Sequence, residues 1–145
     1  MPSRVEDLQQ VPLFSGLSRA QLKRLARATK EREYRAGATL LREGEMSGVS
    51  FFVIAEGTVS VSVDGAEAAR LGPGDHFGEL ALISERERAA TVTVETPLRC
   101  FVMTSWDFRK FVKDNSDVSW KLLQHLAELL TDERGRRAKA GLQAS

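Results

Sequence analysis

The chain has 145 residues, of which 42% are hydrophobic and 28% charged, and 21 basic side chains nearly balance 20 acidic ones to give a net charge of +1. These values fit one folded domain with a real core and exclude a disordered chain. They leave no global positive field for nucleic acid or anionic lipid. The sequence contains no apolar run near the ~20 residues of a membrane span, and no apolar signal-peptide core, so a cytoplasmic protein is predicted.

An N-terminal helical segment is predicted over about residues 4–30. Ser18 and Gln21 have the spacing of a capping box, and Leu22 and Leu25 follow at helical spacing. A second helical region is predicted over about 105–134, and the polar tail 135–145 is expected to be disordered.

Between these helices, from about 34 to 104, short β-branched and aromatic runs alternate with glycine and proline. The predicted strands are 39–41, 50–54, 58–63, 91–94 and 98–104. Many short strands separated by glycine turns indicate a small antiparallel sandwich or barrel.

One segment, residues 71–92, departs from the strand pattern with a glycine-rich turn, a short apolar run and an arginine. The glycines allow close backbone approach and leave N–H groups pointing outward. Arg88 suits a bidentate contact with a phosphate, and an ionised Glu79 suits a sugar hydroxyl. A phosphate next to a sugar hydroxyl indicates a nucleotide.

Residues 77–92, FGELALISERERAATV, closely resemble the phosphate-binding cassette of the cyclic nucleotide-binding domain family. The stretches FFVIAEGTVSV and LGPGDHFGE resemble the family's central hairpin and the turn into the cassette, and the resemblance extends to about Leu130. It implies a mainly β fold, an antiparallel β-roll of jelly-roll type with N-terminal helices and C-terminal B and C helices. By this match Glu79 bonds the ribose 2′-hydroxyl and Arg88 neutralises the cyclic phosphate. The further ligand-binding residues it implies are Gly78, Leu80, Ala81, Ala89 and Ala90 in the cassette, and Val61 and Leu71 on the apolar side.

The resemblance also bears on the ligand and the partners. Ala89 stands where members that prefer cyclic GMP often carry threonine, so cyclic AMP is the expected ligand. The family's last helix closes over the base or pairs with its copy in a homodimer, which makes Leu126, Leu130 and Arg134 candidate lid residues. No helix-turn-helix can be placed after that helix, so the expected partner is an effector protein and not DNA.

Two functions remain open at this point. The first is a cyclic nucleotide receptor whose C-terminal helix moves on binding and signals to a partner. The alternative is a constitutive dimerisation or adaptor module, which the intact Glu79 and Arg88 disfavour. No enzyme is expected, because no nucleophile is paired with a base and because two histidines, His76 and His125, are too few for a cupin-type metal site. Both histidines are predicted to be structural or solvent-facing.

Overall fold

The N-terminal segment is helical and begins where the chain is first described. The computed structural model describes the backbone of residues 4–46 and 50–144 and the side chains of residues 4–46 and 50–132. The first elements are α1 (Arg4–Gln9), a 3-10 turn (Pro12–Phe14) and α2 (Arg19–Ala28). The predicted capping box is confirmed, since Gln21 N donates to Ser18 Oγ at 3.2 Å and Ser18 N donates to Gln21 Oε1 at 2.7 Å.

Within residues 4–46 and 50–144, eight strands form the β-roll. They are β1 (Lys30–Tyr34), β2 (Thr39–Leu41), β3 (Ser50–Glu56), β4 (Val59–Val63), β5 (Ala66–Leu71), β6 (His76–Phe77), β7 (Thr91–Val94) and β8 (Leu98–Thr104). All pairings are antiparallel, in two four-stranded sheets ordered β1-β8-β3-β6 and β2-β7-β4-β5. The predicted mainly β fold with flanking helices is confirmed. Strands β1, β5 and β6 lie outside the predicted strands.

Strand β3 is buried on both faces and joins two parts of the core. Phe51 and Val53 pack with the N- and C-terminal helices, whereas Phe52 and Ile54 point between the two sheets. Successive side chains of a strand point to opposite faces, so a continuous apolar run serves both cores. The strand therefore fixes the helices against the outside of the roll.

Two helices follow the roll, α4 (Ser105–Asp114) and α5 (Ser116–Ala144). Thr104 caps α4 by accepting from Asp107 N at 3.3 Å, as its spacing predicts. Val118 and Leu122, both almost fully buried, anchor the first turns of α5 in the helical core.

Helix α5 continues past position 134, where the sequence pattern predicts its end. Alanine, arginine, lysine and glutamine dominate the sequence there, and these are good helix formers. The expected disorder of residues 135–145 stays a prediction. In the described part of the chain no helix is both long and apolar enough to cross a membrane.

Candidate functional site

A tight turn between β5 and β6 leads the chain into the cassette. Asp75 Oδ2 accepts from Gly72 N at 2.9 Å, which closes the turn on itself. Gly74 takes a left-handed φ of +90°, and its N–H donates to Ile54 O at 2.9 Å, while Ile54 N donates to Asp75 O at 2.9 Å. The turn is thus bonded on both sides to β3, and this fixes where β6 starts.

Gly78 brings the backbone into close contact with β3. Its φ is +98°, and a Cβ added to it would lie 2.8 Å from Ser50 O and 3.4 Å from Arg88 Nη1. A side chain at this position would both strain the backbone and collide with a carbonyl. The glycine therefore allows α3 (Glu79–Ser84) to start directly against the roll, with Glu79 as its first residue.

Arg88 is a buried guanidinium, only 3% exposed, that is held by backbone carbonyls. Its Nη1 donates to Gly78 O at 2.9 Å and its Nη2 donates to Ser50 O at 3.1 Å. Among the described residues its buried Nε finds no hydrogen-bond partner. Burial lowers the pKa of Arg88, which the charge of Glu79 opposes. The group is rigidly oriented, yet not every donor is used.

Glu79 is a buried carboxylate, 4% exposed, flanked by two histidines. Its Oε1 lies 3.4 Å from His76 Nδ1 and 3.4 Å from His125 Nε2. Burial favours the neutral acid, but the contacts with His125 and His76 outweigh it and lower the pKa of Glu79 to about 2. In return, the contact with Glu79 raises the pKa of His125. The carboxylate is ionised at neutral pH, and its Oε2 is buried without a hydrogen-bond partner among the described residues.

Both side chains line one cavity of about 200 Å³, between the β2-β7-β4-β5 sheet, the cassette and α5. Every residue that the resemblance assigns to ligand binding lines it: Gly78, Glu79, Leu80, Ala81, Arg88, Ala89, Ala90, Val61 and Leu71. The sequence thus predicted a set of residues that the fold gathers around one space.

Helix α5 reaches this cavity with side chains that neighbour the candidate lid residues in sequence, and the lid role itself stays a prediction. His125 and Leu129 line it, whereas Leu126 and Leu130 are not among the described lining residues. Each step along a helix turns it by about 100°, so a shift of one position presents another face. The side chain of Arg134 lies outside the described residues.

Sequence reasoning missed the two histidines. His76 precedes Glu79 by one helical turn's spacing, which is a weak signal. His125 is far away in the sequence and carries no signal of its own, because its position depends on how Val118 and Leu122 seat α5. The Cys100 thiol is buried, and burial raises its pKa to about 12.

Three comparisons relate the chain to known proteins. Residues 31–115 match the family described as cyclic nucleotide-binding domain. A cyclic nucleotide-gated potassium channel of Mesorhizobium japonicum is 39% identical over 109 residues, which cover 75% of this chain and 30% of the channel. Among solved structures, the regulatory domain of Toxoplasma gondii PKA with cAMP has a TM-score of 0.75 at 27% identity, covering 86% of this chain and 48% of that one.

The Thermus thermophilus catabolite activator protein is similar to the same degree. Its TM-score is 0.76 at 26% identity, with 85% of this chain and 60% of that chain covered. The chain spans only 20% to 30% of the length of the curated relatives that it matches.

Proposed function

Because the chain belongs to the cyclic nucleotide-binding domain family, we propose that its cavity is a receptor site for a cyclic nucleotide, with cyclic AMP as the favoured ligand. One observation carries the proposal. A buried cation, Arg88, and a buried anion, Glu79, line the same cavity, and each has a polar atom without a partner among the described residues. Such atoms are costly in a folded protein unless a ligand uses them.

The phosphate is assigned to Arg88. Its bonds to two carbonyls orient the guanidinium without neutralising it, because carbonyl oxygens carry no full charge. A singly charged cyclic phosphate supplies the missing anion and can accept charge-assisted hydrogen bonds. Glu87, the acidic neighbour of Arg88 in sequence, is exposed to solvent and does not take this place.

The ribose is assigned to Glu79. An ionised carboxylate accepts hydrogen bonds and donates none, so it suits a hydroxyl and not a second phosphate. Its pKa of about 2 keeps it in this state across the physiological range. The 2′-hydroxyl of a 3′,5′-cyclic nucleotide is the only free hydroxyl of that ring.

The base is assigned to the apolar side of the cavity, formed by Val61 and Leu71 from the roll and by Leu129 from α5. Ala89, which lines the same cavity, offers no hydroxyl to a guanine amino group. One hydrogen bond contributes about 1 kcal/mol net, so adenine is favoured by a modest margin.

The signal is assigned to α5. This helix places His125 and Leu129 on the cavity, so an occupied site presents it with contacts that an empty site lacks. Ligand shifts the helix only as far as it binds one position more tightly than the other. The proposal includes a cytoplasmic location and an effector protein that reads the new position of α5.

A second candidate function, a constitutive dimerisation or adaptor module, is favoured by the outer face of α5. Trp120, Leu123 and Leu130 are 62%, 57% and 57% exposed. Large apolar side chains that are exposed together indicate contact with another surface. Under this alternative the dimer forms without ligand, and the cavity serves no purpose in binding.

Calorimetric titration of the wild type, Arg88→Ala and Arg99→Ala with cyclic AMP and cyclic GMP tests the proposal. Arg99→Ala is the matched control, since it removes the same charge from a residue that does not line the cavity. We expect saturable binding to the wild type and the control, tighter for cyclic AMP, and a loss of about 100-fold or more in Arg88→Ala. Absence of binding to folded wild type would overturn the proposal, and a ligand-independent dimer would then support the alternative.

The role of Glu79 has its own test. Glu79→Ala should weaken binding of cyclic AMP more than binding of its 2′-deoxy analogue, because only cyclic AMP presents the hydroxyl. Equal losses for the two ligands would mean that Glu79 does not contact the 2′ position.

A further inference from the structure

Three metal-ligating side chains from separate elements converge at the inner end of the cavity. His76 comes from β6, Glu79 from the start of α3 and His125 from α5. One ligand atom from each residue lies within 4.8 Å of the other two. The cluster is made by folding, since His125 is contributed by a helix at the other end of the sequence.

The nitrogen–oxygen distances in this cluster are long for hydrogen bonds and match the distances between ligands of one metal ion. The two histidine nitrogens each lie 3.4 Å from Glu79 Oε1, whereas N–H···O bonds are most often about 2.9–3.0 Å long. Zinc binds nitrogen and oxygen at about 2.0–2.2 Å in tetrahedral geometry, which separates neighbouring ligand atoms by about 3.4 Å. Both nitrogen–oxygen distances therefore already match, and the three ligand atoms all lie within 4.8 Å of one another.

Independent support comes from unused polar atoms. Glu79 is 4% exposed, and neither its Oε2 nor His76 Nδ1 has a hydrogen-bond partner within the described ranges. Buried polar atoms without partners are rare and usually contact a bound group.

We propose that His76, Glu79 and His125 form a binding site for a divalent transition-metal ion, with Zn²⁺ as the best fit. Two imidazoles and one carboxylate suit zinc, and they leave a fourth position for water. The charge of Arg88 acts on Glu79 and opposes any cation. Only an ion that binds imidazole strongly overcomes this repulsion, so Mg²⁺ and Ca²⁺, which prefer oxygen ligands, are rejected.

The ion and the nucleotide compete for Glu79, a consequence that rests on the proposed function. A metal ion bound at Oε1 neutralises the carboxylate and so weakens Oε2 as an acceptor for the 2′-hydroxyl. It also ties His125, and with it α5, to the cassette. Zn²⁺ is therefore an antagonist that holds the helix down over an empty nucleotide site.

Metal binding is tested first, without nucleotide. Tag-free, chelator-treated protein is titrated with Zn²⁺, and with Co²⁺ as an absorbing probe, in the wild type, His76→Gln, His125→Gln and Asp132→Asn. Asp132 is an exposed acid on the same helix as His125 and serves as the matched control. We expect one ion per chain and intense visible Co²⁺ absorption, unchanged in the control and at least about tenfold weaker in each histidine variant.

His125 is partly exposed, so its variant should fold, and circular dichroism checks this. Wild type that binds no Zn²⁺, or that binds it as well after either histidine substitution, would overturn the site. The cobalt spectrum of the wild type decides the case even if a variant fails to fold, since a weak spectrum without tetrahedral character contradicts the ligand set.

Competition is tested second. Saturating Zn²⁺ should weaken cyclic AMP binding to the wild type by at least about tenfold and should leave binding to His125→Gln unchanged. Equal effects on both proteins would overturn the antagonism. A protein that binds Zn²⁺ and no cyclic nucleotide would contradict the proposed function alone, and one that binds only the nucleotide would contradict the metal site alone.

Discussion

Arg88 and Arg99 differ in what surrounds their charges. Arg99, on β8, contacts three carboxylates: Asp7 at 3.2 Å, Glu31 at 2.7 Å and Glu56 at 2.9 Å. Arg88 is more deeply buried and makes its hydrogen bonds to two backbone carbonyls. The contacts with Glu31 and Glu56 raise the pKa of Arg99, whereas burial lowers that of Arg88.

This difference distinguishes Arg99, whose charge is paired with carboxylates, from Arg88, whose charge has no bonded anion. The Arg99 network joins α1, β1, β3 and β8, and the positive charge of Arg99 is paired with carboxylates of the chain itself. A buried cation that is oriented by carbonyls and left without a bonded anion is costly for the fold by itself. Such an arrangement is maintained where a ligand completes it, and four measurements test the contrast between the two arginines.

The largest expected effect is that of Gly78→Ala, which acts on the carbonyl frame of Arg88. Left-handed backbone costs a residue with a Cβ about 1–2 kcal/mol, and overpacking adds about 1–3 kcal/mol. Gly37→Ala is the matched control, because Gly37 has a φ of +93° with nothing within 4 Å of the added Cβ. Urea unfolding should show a loss of about 3 kcal/mol for Gly78→Ala against about 1 kcal/mol for the control.

Equal losses in the two alanine variants would contradict the close approach of Gly78 to Ser50. They would also show that the backbone around Arg88 can accommodate a side chain at position 78.

A smaller effect is expected from salt on the two arginines. Arg99→Met should cost about 1–2 kcal/mol at low ionic strength, because its partners are partly exposed and each such pair contributes at most about 1 kcal/mol. This loss of stability should be smaller in about 1 M NaCl, where the Debye length is about 3 Å and exposed charges are screened from one another. The change in unfolding free energy caused by Arg88→Met should not depend on salt, since the surroundings of Arg88 exclude solvent. If the urea midpoints of Arg99→Met and Arg88→Met depend on salt to the same degree, the contrast between the two arginines is wrong.

Up to about pH 9 the smallest effect is expected at Cys100, which follows Arg99 on β8 and faces the core between the sheets. Burial raises the pKa of this thiol to about 12, so it stays protonated in the folded chain at a pH where an unfolded cysteine, with a value of 9.0, begins to ionise. Stability should therefore fall as pH rises above 9.0 toward about 12, because the unfolded chain releases the proton first.

Alkylation of Cys100 below this range reports opening of β8. Arg99→Met should increase its rate about fivefold for each kcal/mol lost, and Arg88→Met should increase it less. Equal rates in the two variants would show that the Arg99 network does not stabilise β8 in particular.

The cassette could be predicted from sequence because its chemistry is local. Glycine at 78, glutamate at 79 and arginine at 88 are placed by one turn and one short helix, and all three line the cavity. The contribution of α5 could not be predicted in the same way. Its face toward the cavity depends on the packing of Val118 and Leu122, and the fold presents His125 and Leu129 there. The lid role of Leu126 and Leu130, which the family resemblance implies, stays a prediction.

Strands β1 and β5 were missed for a different reason. The sequence of β1 is KEREY and that of β5 is AEAARL, and neither shows an alternation of apolar and polar residues. Both strands are exposed over most of their length and are held by ladder hydrogen bonds to β8 and β4. Pairing with a neighbour, and not burial, makes these segments strands, and pairing is not visible in a local pattern.

The same two strands affect whether molecules of this protein associate through their sheet edges at high concentration. Each sheet ends on one side in a charged strand, β1 or β5, and on the other in a very short one, β6 or β2. A free sheet edge is a template for a strand from another chain, and charged or short edges resist this addition. The charged residues that make β1 and β5 hard to predict from the sequence thus also protect the roll against edge-to-edge aggregation.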